Sequence, residues 1–385
     1  MAQPATTCAS GGAAQPAASW PDFLQGDPGA ARRPETRELA ERFLSRRERA
    51  PRLLLGRNEH AAALLALAPV DAIIDDRAAP CIWNGRPVVK AEDAPAHAII
   101  VNCSLAISPV DATRRLQQLG LRHLLSYGDL LASHPQRVPL PSFVADTRAD
   151  LQAHGAQWQA LFDRLADPAS QQTLRDVLLF RLSADAHHLR DYAVRMSEQY
   201  FEDFLGLAHE VFVDAGGFDG DTTETFCQRD PGYRRVILFE PSAANMSGAR
   251  RRLAGFANIE FIQQGLSDVA GSLAFDADAG SASAVAQAGA SLIPVTTLDE
   301  AVPDEVSFVK MDLEGWEWRA LMGAHGHLRR SAPKLAIAVY HRAADFRRIP
   351  QLVLQQRPDY GVYLRHYTQG WSETVMFFVP GHGGA

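Results

Sequence analysis

Cysteine is scarce. Cys8, Cys81, Cys103 and Cys227 are the four in 385 residues, with no C-x-x-C pair and no spacing that would frame a disulfide scaffold. That usage suits a reducing cytoplasm. Basic charge shows no excess: 38 Lys and Arg stand against 45 Asp and Glu, a formal net charge of -7. A phosphate backbone therefore finds no electrostatic footprint, and nucleic acid is not expected as a partner. No apolar run reaches the roughly 18 residues that would suggest a membrane span. The opening MAQPATTCASGGAAQPAASWPDF lacks a charged n-region and an apolar h-region, so no signal peptide is expected and the chain reads as cytoplasmic. Glycine (28) and proline (23) lie near average usage, which excludes collagen-like and wholly disordered classes. What remains is 46% hydrophobic and 22% charged, a globular composition with length for two domains and an appendage.

The texture divides the chain into four expected regions. Residues 1–48 begin Ala/Gly/Pro/Ser-rich, which predicts disorder over the first part, and continue as PETRELAERFLSRRERA, which predicts one exposed helix. Residues 49–135 alternate short apolar runs (RLLL, DAIIDD, AHAIIVNCS, LRHLLSYG) with helical segments, including one from Pro109 to Gly120. This alternation predicts a small Rossmann-like α/β domain with a parallel sheet. Over 136–205 the apolar positions, such as Trp158, Leu161, Phe162 and Leu165, repeat at helical spacing and predict a helical connector. Over 206–380 strands and helices alternate again. A Gly/Ser/Ala-rich loop is expected at 279–291, one helix from Trp316 to about Leu328, and a closing antiparallel pair, YGVYLRHYT and ETVMFFVP, across a tight turn. The tail GHGGA should fray.

The segment VFVDAGGFDGDTT (211–223) runs from an apolar strand through Gly216, Gly217 and Gly220 into a helix. Glycines there let backbone approach a ligand at the carboxyl end of a strand, where open α/β sheets bind. A dinucleotide fingerprint starting at Gly216 would need glycine at 218, which is Phe218. Asp214, Asp219 and Asp221 crowd the turn and would repel a pyrophosphate. The next strand ends in Phe239–Glu240–Pro241, an acid placed to accept ribose hydroxyls. Gln264–Gly265–Leu266–Ser267–Asp268 ends the third strand, where polar side chains could meet an adenine edge. In FVKMDLEGWE (308–317), period-two alternation puts Lys310, Asp312 and Glu314 on one side, and charges in a buried strand need partners or a function.

These motifs resemble the FkbM family of S-adenosyl-L-methionine (SAM)-dependent methyltransferases over about 205–380. The residues that carry the likeness are Asp214, Gly216, Gly220 and Thr223; Phe239, Glu240 and Pro241; Leu266, Ser267 and Asp268; Thr297, Leu298 and Asp299; and Lys310, Asp312, Glu314, Gly315 and Glu317. The pattern departs at Gly217–Phe218, where the family often has Ala-Asn. The resemblance implies a class I (Rossmann-like) seven-stranded methyltransferase domain with an antiparallel last hairpin, using SAM as cofactor and O-methylating a sugar, glycan or natural-product hydroxyl. It implies a cofactor set of Asp214, Gly216, Gly217, Asp219, Gly220, Thr223, Glu240, Pro241, Ser267, Asp268 and Asp312.

Methyl transfer to a hydroxyl needs a group to take the proton. His341, after the strand KLAIAVY, is expected as base, and Asp312 as the group that orients the acceptor hydroxyl or the SAM ammonium. Tyr340, Arg342, Arg365, His366, Tyr367 and Trp371 offer a polar-aromatic acceptor surface, and Gln199–Tyr200–Phe201 could close over the cofactor. The pairs His187–His188 and His325–His327 lack a third ligand at metal spacing, are expected to face solvent, and imply no metal. The partners expected are a small-molecule or glycan acceptor, with homo-oligomer formation left open. A non-catalytic scaffold on the same fold and a nicotinamide-dependent oxidoreductase are the competing functions, the acidic turn and Phe218 weighing against the second.

Overall fold

The computed structural model describes residues 34–275 and 291–381. The expected disordered start, nearly all of the 279–291 loop and the last four residues lie outside that range. The chain builds two main sheets around one continuous apolar cluster that runs from Ala40 to Phe378.

The first sheet contains β1 (Arg52–Leu55), β2 (Ala72–Ile74), β3 (Ile82–Trp83), β4 (Arg86–Val89), β5 (Ile99–Asn102) and β6 (His123–Ser126). Their order is β3-β4-β2-β1-β5-β6, parallel throughout except for the β3–β4 hairpin. The sequence reading missed that hairpin, although its turn is Asn84–Gly85, with φ of +46° and +74°. Asn-Gly suits a two-residue turn because both central residues need positive φ. Helices α1 (Pro34–Leu44), α2 (Glu59–Leu65), α3 (Pro109–Gln118) and α4 (Tyr127–Ser133) cover this sheet. The first was expected to be exposed. Instead it buries Ala40, Phe43 and Leu44, because its apolar stripe has a sheet and α4 to cover.

Two helices follow, α5 (Ser142–Arg164), kinked at His154, and α6 (Pro168–Ser183). Trp158, Leu161, Phe162, Leu174, Val177 and Leu178 join the common cluster, so these helices are packed into the core along the second sheet.

That sheet uses β7 (Val211–Ala215), β8 (Arg235–Phe239) and β9 (Ile259–Ile262). After them, β10 (Gly265–Leu266), β11 (Gly271–Phe275) and β12 (Ser291–Thr296) form a separate small sheet, ordered β10-β12-β11, that was not expected from sequence. The large sheet resumes with β13 (Phe308–Met311), β14 (Lys334–Ala338), β15 (Gly361–His366) and β16 (Thr374–Val379). Its order is β15-β16-β14-β13-β7-β8-β9, with only β16 antiparallel to its neighbours. The strands from β14 to β8 are buried on both faces beyond their first residues, which explains runs that are apolar apart from those first residues and the Asp214–Lys310 pair.

Helices α7 (Asp221–Arg229), α8 (Ala243–Arg252), α9 (Leu298–Ala301), α10 (Glu317–Met322), α11 (His325–Arg330) and α12 (Asp345–Gln356) flank the sheet. The single helix expected from Trp316 to Leu328 is therefore two. At the break, a Cβ on Gly323 would lie 2.0 Å from the Ser267 carbonyl oxygen, so the chain turns there around its neighbour. The β15–β16 connection is seven residues long, not a tight turn (367–373). It docks on the segment after β5: Gln369 N–H donates to the Ile107 carbonyl at 2.8 Å and Trp371 N–H to Leu105 at 2.9 Å. Among the described residues no helix is long and apolar enough to cross a membrane.

Candidate active site

A cavity of about 500 Å³ opens at the carboxyl ends of β7, β8 and β13, where the strand order reverses and α/β sheets bind ligands. One wall is the turn after β7. Gly216 has φ +80°, and a Cβ there would sit 1.9 Å from the Asp312 carbonyl oxygen. Only glycine lets the turn pass so close to the end of β13. Glu240 follows β8 and lines the cavity. Its carboxylate accepts the backbone N–H of Ser242 at 2.8 Å and of Phe218 at 3.1 Å, which fixes it against the turn. Burial nevertheless pushes its pKa upward.

Behind the turn, the register pairs Lys310 of β13 with Asp214 of β7. Lys310 Nζ lies 3.0 Å from Asp214 Oδ1 and donates to the Gly216 carbonyl at 2.8 Å. The Thr223 hydroxyl donates to the other Asp214 oxygen at 2.7 Å. Burial opposes the Lys310 charge, but Asp214 and then Asp312 outweigh it and hold the pKa high.

The other end of the cavity is acidic and strained. Tyr200 donates to Asp312 Oδ2 at 2.6 Å and the Tyr340 hydroxyl to Oδ1 at 3.5 Å. Gln199 Nε2 donates to Glu373 Oε2 at 2.7 Å. Burial, followed by the Asp312 charge, raises Glu373 to about 7. Tyr200, Phe218, Glu314 and Glu373 all line the cavity with φ between +44° and +72°. Backbone strain of this kind concentrates at functional sites.

Of the cofactor set expected from sequence, Gly216, Glu240, Pro241 and Asp312 line the cavity. Asp214 and Thr223 stand behind it in the buried Lys310 network. Gly217 faces Leu238 and Gly220 faces α8, while Asp219 is turned outward to Arg252. Ser267 accepts from Trp316 Nε1 at 3.2 Å and donates to Asp268, which pairs with Arg319. They brace Trp316, which does line the cavity.

His341 is also outside the lining. Its side chain is 8% exposed, with Nε2 3.0 Å from Glu314 and 3.6 Å from Asp312, and Nδ1 3.1 Å from Glu317. Burial disfavours its charge, but Glu317, then Glu314 and Asp312, raise its pKa well above the usual histidine value.

The expected acceptor set also divides. Tyr340 and Trp371 line the cavity, whereas Arg365 is paired to Asp167, His366 is bonded to Thr374 and Tyr367 donates to Glu202. His327, expected in solvent, is buried and bonded through Nε2 to the Val302 carbonyl.

Reading the sequence missed the apolar slot formed by Leu266, Leu273, Ile293, Val295, Leu313 and Trp316, because four of the six lie on the small sheet. It also missed Glu373. Ala106 and Ile107, which belong to the first sheet's half of the chain, reach the same cavity.

Strand order, antiparallel last hairpin and cavity position define a class I methyltransferase fold. Residues 214–361 match the methyltransferase FkbM domain. The chain is similar to the crystal structure of methyltransferase FkbM from Methylobacillus flagellatus, at 26% identity and TM-score 0.70, with 93% of this chain and 96% of that chain covered. That likeness extends through the first sheet. An rRNA methylase from Streptococcus thermophilus (19% identity, TM-score 0.32) covers 46% of this chain and 92% of its own. A fibrillarin from Aeropyrum pernix with natively bound SAM (13% identity, TM-score 0.30) covers 46% and 71%. No curated protein matches the chain.

Proposed function

We propose that the protein is a SAM-dependent O-methyltransferase acting on a hydroxyl of a sugar, glycan or natural-product acceptor. The observation that carries this reading is the polarity of the cavity. Asp221, Glu240, Asp312, Glu314 and Glu373 line it against a single basic residue, Lys310, itself paired to Asp214. Such a wall repels a pyrophosphate and favours a cationic ligand, which disfavours a nicotinamide cofactor. Glu240 suits the ribose hydroxyls, the slot around Trp316 suits the adenine, and Asp312 with Tyr200 suits the methionine end. When bound, SAM supplies a methyl group on a positively charged sulfur.

The chain's own residues handle the acceptor. Tyr340, Trp371 and Ile107 shape that end of the cavity, and Asp312 orients the hydroxyl. Glu373 takes the base role that the sequence reading gave to His341. Gln199 holds one of its oxygens, which leaves the carboxylate aimed along the cavity wall. With SAM held by Glu240, Asp312 and the slot around Trp316, the acceptor oxygen would take the methyl group, the thioether would leave, and the hydroxyl proton would pass to Glu373. With a pKa of about 7, Glu373 must lose its proton to serve as base, so turnover should rise with pH through that value. Labelled SAM offered with a panel of mono- and oligosaccharides tests this. Glu373→Gln should cut methylation about 100-fold or more while S-adenosylhomocysteine (SAH) still binds. Unchanged turnover would remove Glu373 from the reaction.

A further inference from the structure

At the rim of the cavity, the ends of β13 and β14 bring together more ligand atoms than hydroxyl methylation uses. Asp312 and Glu314 follow β13, and His341 follows β14. Glu314 is held in the left-handed region at φ +53° and is followed by Gly315 at +88°, a costly local conformation that turns the carboxylate toward the imidazole. His341 Nε2 then faces Glu314 Oε2 at 3.0 Å and Asp312 Oδ1 at 3.6 Å. Despite these approaches, neither ring nitrogen makes a well-formed hydrogen bond to any group, in a side chain only 8% exposed. Buried polar atoms of this kind call for a partner.

We propose that Asp312, Glu314 and His341 form a divalent-cation site in the wall of the cavity, with Glu317 positioning the imidazole. Bonds of about 2.1 Å meeting near right angles separate neighbouring donor atoms by roughly 3 Å, the spacing of Glu314 from Nε2, with Asp312 at 3.6 Å. Glu317 faces the other ring nitrogen at 3.1 Å, and its Oε1 is anchored by the backbone N–H of Leu313 at 2.7 Å and Gly315 at 3.3 Å. A carboxylate fixed on the far nitrogen is the usual support for a metal-ligating histidine. Donor atoms of Asp312, Glu317 and His341 lie within 4.8 Å of one another, which keeps the supporting carboxylate close to the imidazole and Asp312. Asp312 and Glu314 also border the cavity, leaving the remaining coordination positions for water or a ligand oxygen. Two carboxylates and one imidazole suit a manganese-like ion. A role for the ion in holding the acceptor oxygen rests on the methyl-transfer reading, whereas the site itself does not.

The test is titration of the chelator-treated full chain with Mn²⁺, followed by electron paramagnetic resonance. One ion per chain is expected, with spin-echo modulation from a coordinated imidazole nitrogen that disappears in His341→Gln. Asp312→Asn with Glu314→Gln should weaken binding at least about 100-fold, and Glu317→Gln about 10- to 100-fold. Thermal melts would confirm that the variants fold. No binding at about 1 mM Mn²⁺, binding that these variants leave intact, or the absence of nitrogen coupling in the unmodified chain would overturn the site and leave His341 as a buried imidazolium. SAH titration of the same samples separates the two ideas. SAH binding without Mn²⁺ binding removes only the cation site, and Mn²⁺ binding without SAH binding removes the methyl-transfer reading.

Discussion

The chain's two main sheets are mostly parallel, each with a glycine turn and acidic residues after its strands, yet the large cavity opens at the strand ends of the second. After β1, Gly56 takes φ +102°, but Asn58 fills the turn. Its Oδ1 accepts the Ala61 N–H at 2.9 Å and its Nδ2 donates to the Cys103 carbonyl at 2.9 Å. Asp75 pairs with Arg57 and Asp76 with Arg115, each at 2.7 Å. Every polar group named at that edge is satisfied from within. At the edge of β7 and β13, by contrast, four carboxylates besides Glu240 face the cavity and four non-glycine residues hold positive φ. The difference shows that a glycine turn alone does not make a site. Carboxylates aimed into a cavity, with strained backbone holding them there, distinguish the second sheet.

Perturbing each sheet in turn sharpens that contrast. The largest effect is expected from Lys310→Met, which strands the fully buried Asp214 charge. It should lower unfolding free energy by about 3–5 kcal/mol in urea titrations. Gly216→Ala comes next. Its Cβ meets the Asp312 carbonyl at 1.9 Å, so overpacking and left-handed strain together should cost about 3 kcal/mol or more. Gly56→Ala meets nothing closer than 3.6 Å and should cost only the strain, about 1–2 kcal/mol. Equal losses in the two glycine variants would dissolve the comparison. The smallest effect should come from Asn58→Ala, about 1 kcal/mol for a lost helix cap, with SAH affinity unchanged.

Much of this architecture could be read in the residues. Apolar runs such as VFVDA and RVILF can only be interior strands, and the Lys310–Asp312–Glu314 alternation marked the site because charge in a buried strand demands a reason. What sequence could not supply was contact between distant segments. Glu373 gains its character from Asp312 and Gln199, which are far from it in the chain. His341 looked like a base because one residue's ordinary pKa says nothing of three carboxylates folded around it. Gly220, Thr223 and Asp214 matched a motif, but motif membership does not separate side chains that face a ligand from those that support the turn. The Asn84–Gly85 hairpin was readable and overlooked, since its flanking strands are only two and four residues long.

The central claim is that the second sheet, through Glu240, binds an adenosyl cofactor. Calorimetric titration with SAH of the unmodified chain, Glu240→Ala and Asn58→Ala tests it most directly. One SAH should bind per chain, with affinity reduced about 10-fold or more in Glu240→Ala, as expected for lost hydrogen bonds to a charged group, and unchanged in Asn58→Ala. Absence of SAH binding, or binding that survives Glu240→Ala and fails in Asn58→Ala, would contradict the account.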